Sequence, residues 1–127
     1  MYQTEKKLYQ ALKTNLTKVH WQRIETGALQ QGVPDVNACY HGTEFWLELK
    51  CTSTDTVSLT PFQCSWHMRR ASVGGRSWIL VAHSKHNVLT LHRGSDALSY
   101  WTMGFHHLLH SHTMRRLIGL SFCMMFV

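Results

Sequence analysis

The sequence predicts an α/β domain with a mixed central sheet whose middle is an antiparallel hairpin. Three observations lead there. An amphipathic stripe opens the chain, and two strand-like runs meet at a His-Gly pair. A capped helix then leads into an uninterrupted apolar run, "RSWILVAH". A run of that kind suits a strand covered on both faces.

Residues 3–17 carry Leu8, Ala11, Leu12 and Leu16 at helical spacing, so a first helix is expected, with Glu5 on the edge of its buried face. "KVHWQRIE" (18–25) alternates like a strand, and "TGALQQGVP" ends it with two glycines and a proline. Strands over 35–40 and 44–50 are joined at His41-Gly42. After a Thr/Ser-rich loop, Thr60, Pro61 and Gln63 form a capping-box pattern that starts a second helix. Phe62, Trp66, Arg69 and Val73 mark one face of it, and the Gly74-Gly75 pair stops it. The run 76–83 is the buried strand, and "NVLTLH" (87–92) alternates like a more peripheral one. A helix is expected over 105–119, without a clean stripe to orient it.

At 127 residues the chain is expected to form one domain, residues 1–127, with a core over 3–92 and a C-terminal extension over 93–127. An apolar fraction of 44% and a charged fraction of 16% argue against disorder. The net charge of +6, with five Trp and four Tyr, suits a polyanionic partner, because Lys and Arg neutralise phosphate and aromatic rings stack on bases. Cys39, Cys51, Cys64 and Cys123 show no C-x-x-C spacing, which excludes a zinc ribbon or a thioredoxin-like motif and reads as free thiols in a reducing compartment. "MYQTEKKLYQ" has no apolar core of a signal peptide, and the apolar "LIGLSFCMMFV" is far short of the ~20 residues that span a bilayer. No membrane association is expected, and the cytoplasm is the expected location.

The hairpin carries the chemistry. Glu48 and Lys50 project from one face of their strand while Leu49 points away. A two-residue loop at His41-Gly42 sets Asp35 opposite Glu48, whereas a three-residue loop sets Asp35 opposite Leu49. Two facing carboxylates repel unless solvent, a shared proton or a divalent cation relieves them. Mg²⁺, a hard ion, commonly binds through one or two carboxylates and keeps several waters. Asp35 and Glu48, with the Leu49 carbonyl as a further oxygen, would suit it, and Lys50 would orient water or balance developing charge. By spacing alone, a solvated strand face with a cross-strand salt bridge is the other open reading, and the more common arrangement.

The pieces "WQRIE" (21–25), "GVPDVN" (32–37), "FWLELK" (45–50), "LTPFQCSWH" (59–67) and "GGRSWILV" (74–81) together resemble the PD-(D/E)xK nuclease superfamily. Within it they resemble the VRR-NUC group, especially its small stand-alone, bacteriophage-carried, Holliday junction resolvase-like versions. The resemblance covers roughly residues 5–92. It implies a restriction-endonuclease-like core and an endonuclease that uses Mg²⁺ or Mn²⁺ to hydrolyse DNA, often branched DNA, and often as a homodimer. It further implies metal binding by Asp35 and Glu48, a catalytic Lys50, and an active-site role for Gln63 that competes with its helix-capping role. Glu5 would supplement the metal site, with Glu25 as the rival for that place. Arg23 would contact phosphate or pair with Glu25.

"HMRR" (67–70), with Arg69 and Arg70, and "MRR" (114–116) are candidate phosphate-contacting patches or merely solvated basic faces. His106, His107, His110 and His112 form a cluster in which His106 and His110 share a helical face, without a Cys or acidic partner at a diagnostic spacing. The competing functional classes are a non-catalytic nucleic-acid-binding module on the same fold and an RNA-directed nuclease.

Overall fold

The computed structural model describes residues 4–25, 31–54, 56–102 and 113–114. Its elements run α1 (Glu5–Asn15), β1 (His20–Arg23), β2 (Val36–Tyr40), β3 (Thr43–Thr52), α2 (Pro61–Ser72), β4 (Ser77–His83) and β5 (Val88–Arg93). A 3₁₀ turn, Gly94–Asp96, leads to α3 (Ala97–Thr102), and β6 (Thr113–Met114) is a two-residue strand. The six strands lie side by side in chain order. β3 and β4 are parallel, joined by the α2 crossover, and every other neighbouring pair is antiparallel. This is the mixed sheet with a central hairpin that the sequence predicts.

The turn between β2 and β3 has two residues, with Tyr40 opposite Thr43. His41 and Gly42 both take positive φ, 48° and 80°, the I′ geometry whose twist matches paired strands. That choice fixes the register of every residue behind it.

Alternation then divides the sheet's two faces. Phe45, Leu47 and Leu49 join Leu8 and Leu12 of α1, together with Leu80 and Leu91, in the larger core. Ile79 and Val81 meet Leu59, Cys64 and Ala97 in a smaller core under α2. Trp46, Glu48 and Lys50 therefore lie on the α2 side. α1 is capped by the Thr4 side chain, which accepts from the Lys7 amide, and it buries Tyr9 in addition to the expected leucines.

Three expectations are corrected. The inner stripe of α2 is Cys64 and His67, flanked by half-buried Gln63, Trp66 and Arg70; Phe62 and Val73 stand 57% and 81% exposed. The helix sits on its sheet through small and polar groups because the sheet face beneath it carries Glu48 and Lys50. β5 is not peripheral, since Val88 through His92 are all buried. Its alternation separates two covered faces, with Leu89 and Leu91 on one and the buried polar Thr90 and His92 on the other. Residues 113–114 of the expected 105–119 helix are strand, paired with β5, and the rest of that segment lies outside the described residues.

Candidate active site

Asp35 stands one residue before β2 and is held at both ends. Its carbonyl accepts from the Ile24 amide at 2.8 Å, and its Oδ2 accepts from the Leu49 amide at 2.9 Å. The ladder closes at Val36–Leu47, so the aligned position opposite Asp35 is Glu48, as the two-residue turn requires. A strand residue sends its N–H and C=O to the same side. The Leu49 carbonyl therefore faces the Asp35 side along with its amide.

Glu48 is only 3% exposed. Its Oε1 accepts from Gln63 Nε2 at 2.9 Å, while its buried Oε2 accepts from no donor among the described residues. Burial, and next the facing Asp35 carboxylate, push its pKa up to about 9, against the lowering pull of Lys50; a hydrogen bond shared with Asp35 and then the charge of Glu5 add to the rise. A carboxyl so placed holds its proton at neutral pH unless a cation replaces it.

Gln63 links the site together. Its Oε1 accepts from Lys50 Nζ at 3.0 Å and from the Thr60 amide at 2.9 Å, while its Nε2 serves Glu48. The capping box is complete, with the Thr60 hydroxyl accepting from the Gln63 amide at 3.1 Å. The cap and the bonds to Glu48 and Lys50 coexist because one amide offers a two-lone-pair oxygen and a two-proton nitrogen. Lys50 is thereby anchored beside Glu48 by a neutral relay.

The loop that carries Asp35 meets the helix that carries Gln63 at Gly32. Gly32 has φ +89°, and a Cβ there would overlap the Phe62 carbonyl. Sequence reasoning passed over this glycine, though the "GVPD" context marks a tight approach to Asp35. His67, which the sequence placed with the basic patch 67–70, is instead fully buried with Nδ1 2.8 Å from Ser77 Oγ, so it is no part of that surface. Burial and then the Lys50 charge hold His67 down to about 4, so it is neutral.

The remaining candidates divide. Glu5 is half-buried and its charge acts on both Glu48 and Cys51, which puts it at the edge of the site. Glu25 is exposed. Arg23 stacks on Tyr9 of α1, 5.4 Å from the ring centre, on the face of the sheet away from the carboxylates. Arg69 is exposed, and Arg70 stacks on Trp46 and Trp66. His106, His107, His110 and His112 lie outside the described residues, as do Cys123 and residues 115–116 of the second basic patch.

Among the described residues no three His, Cys, Asp or Glu side chains converge as a ready ligand cluster. The donor set is instead two carboxylates and a backbone carbonyl, all oxygen, with Glu48 Oε2 unmatched. That set fits a hard divalent cation that keeps most of its waters, and it does not fit zinc.

No protein-family model matches the sequence, and no curated relative does. Among solved structures the chain is similar to Hjc of Archaeoglobus fulgidus, a Holliday junction resolvase from an archaeal hyperthermophile. The TM-score is 0.55 at 13% identity, covering 71% of this chain and 74% of that one. The likeness is one of fold, and it bears out the restriction-endonuclease-like core. No helix among the described residues is long and apolar enough to cross a membrane.

Proposed function

We propose that the protein is an endonuclease that hydrolyses phosphodiester bonds of DNA, with branched DNA such as a four-way junction as its substrate. One observation carries this reading: the buried Glu48 carboxyl with its unmatched Oε2, set against Asp35 and tied through Gln63 to Lys50. A solvated strand face has no use for a carboxyl at 3% exposure, nor does a module that only binds. The fold shared with a Holliday junction resolvase and the PD-(D/E)xK motif resemblance support the choice of substrate.

Asp35 and Glu48 would hold Mg²⁺ or Mn²⁺ with the Leu49 carbonyl, and Glu5 would lend further negative charge from the edge. Such an ion, when bound, polarises a phosphoryl oxygen and acidifies coordinated water. The chain's own groups do the rest. Lys50 Nζ, fixed by Gln63 Oε1, presents its remaining protons to the attacking water or to the charge that develops on phosphorus-bound oxygen. Gln63 Nε2 keeps Glu48 Oε1 occupied, so that Oε2 is the oxygen left to face the cation. Membership of the VRR-NUC group, a homodimer matched to the two-fold symmetry of a junction, and action in the cytoplasm, for a phage in its host's, go with this reading.

The test offers supercoiled plasmid and synthetic junction, flap, single-stranded and duplex DNA, plus the matching RNA, with Mg²⁺. Wild type is compared with Asp35→Ala and Lys50→Ala. Metal-dependent cleavage by wild type, lost in both variants with binding retained, is expected. A folded wild type that binds DNA as tightly as the variants and cleaves nothing would assign the fold to a binding role instead.

A further inference from the structure

Arg70 is held more firmly than a surface arginine ordinarily is. Its guanidinium lies 4.6 Å from the Trp66 ring centre and 5.4 Å from that of Trp46, and the two indoles are themselves 5.3 Å apart. Its stem runs over Gly75, where a Cβ would overlap Arg70 Cγ and Cδ. Among the described residues no carboxylate pairs with this guanidinium and no side chain or carbonyl accepts from it. Beside it a groove of about 430 Å³ is lined by Trp66, Arg69, Arg70, Ser72 and Val73. Arg69 is exposed, and it too has no described acceptor.

The groove's position gives this arrangement its meaning. Gln63, Trp66 and Arg70 occupy positions i, i+3 and i+7 of α2, one stripe of the helix. Trp46, Glu48 and Lys50 occupy one face of β3 beneath it. Strand and helix therefore run as two rails. Gln63 bridges Glu48 and Lys50 at one end, and Trp66 and Arg70 meet Trp46 at the other. Seven helical residues rise about 10 Å, close to three nucleotide steps along a duplex axis.

We infer that Arg70, held against Trp46 and Trp66, and Arg69 form a phosphate-binding groove for the DNA strand that passes through the candidate active site, about three nucleotides from the bond to be cut. The inference rests on the proposed function for its substrate. Contact with the two indoles favours the cation without occupying its N–H donors, which leaves that fork for phosphate oxygens. Holding the side chain in place beforehand lowers the entropy lost on binding. The last-turn location of both arginines also suits the helix dipole, yet that preference needs neither the tryptophans nor the unmatched fork.

The test measures binding of a fluorescently labelled synthetic four-way junction without divalent metal across a salt series, for wild type, Arg70→Met, Arg69→Met and Trp66→Leu. Methionine keeps an apolar stem against the indoles, and Arg69 is exposed, so that variant bears on binding without bearing on packing. Each Arg→Met change is expected to reduce the slope of log affinity against log salt by about 1 and to weaken binding about tenfold at 0.1 M salt. Trp66→Leu is expected to weaken binding while largely keeping the slope, since the charge remains. Slopes unchanged from wild type in both Arg→Met variants, with melting temperatures retained, overturn the inference. If wild type cleaves no DNA and the slopes still fall, the nuclease reading fails and the groove stands. If wild type cleaves and the slopes do not fall, the groove fails alone.

Discussion

Replacing Glu48 with glutamine should make the metal-free protein more stable, and increasingly so as pH rises. In the folded chain burial and Asp35 raise the Glu48 pKa from 4.5 to about 9. Between those values the folded state keeps a proton that the unfolded chain has released, so stability falls with pH, by about 1.4 kcal/mol per unit. Below the lower value nothing is lost, and above the upper one the loss is complete. From pH 7.0 to 8.5 this amounts to about 2 kcal/mol, or on the order of 8 °C in melting temperature for a domain of this size. His67 and His92, both held near 4 mainly by burial, stay neutral across that window and add no slope. The introduced glutamine would still accept from Gln63 Nε2, and its own amide protons would meet the Asp35 carboxylate.

The assay is thermal unfolding in chelator at the two pH values, for wild type and Glu48→Gln. Wild type should lose about 2 kcal/mol more than the variant over the interval. Equal losses would mean that Glu48 is ionised in the metal-free fold, and the argument that burial and Asp35 keep it protonated would collapse. The same proton predicts that binding of Mg²⁺ releases close to one proton near pH 7, readable by calorimetry in buffers of different ionisation enthalpy.

Other substitutions test the supports of the site. Gly32→Ala places a Cβ against the Phe62 carbonyl at a φ of +89°, and should cost about 1–3 kcal/mol in denaturant unfolding and slow DNA cleavage. Gln63→Ala removes the acceptor of the Thr60 amide and frees both Glu48 and Lys50. It should cost about 1–2 kcal/mol and lower the single-turnover cleavage rate on the order of 100-fold. Phe62→Ser should shift stability by less than about 0.5 kcal/mol, because Phe62 is 57% exposed, whereas Leu59→Ala in the core beneath α2 should cost about 2–4 kcal/mol. Similar costs for those two would contradict the orientation of the helix.

Local signals decided a large part of this protein. The His41-Gly42 turn, the alternation that follows it, and the Thr60–Gln63 cap each depend on residues a few positions apart, and each is legible in the sequence. From the turn alone, Asp35 falls opposite Glu48. Long-range packing decided the rest. Nothing local shows that α2 would turn its exposed Phe62 outward and lay Cys64, His67 and Gln63 on the sheet, because that choice depends on the polar face of β3 beneath it. Nor does the alternation of 88–92 reveal that both faces are covered, since a polar residue packed in a core and one in water look alike in sequence. The sequence determined that two carboxylates and a lysine would meet. Only the tertiary structure decided that one of them would be buried, with an oxygen no donor meets, at the end of a rail that leads to an arginine packed against two touching tryptophans.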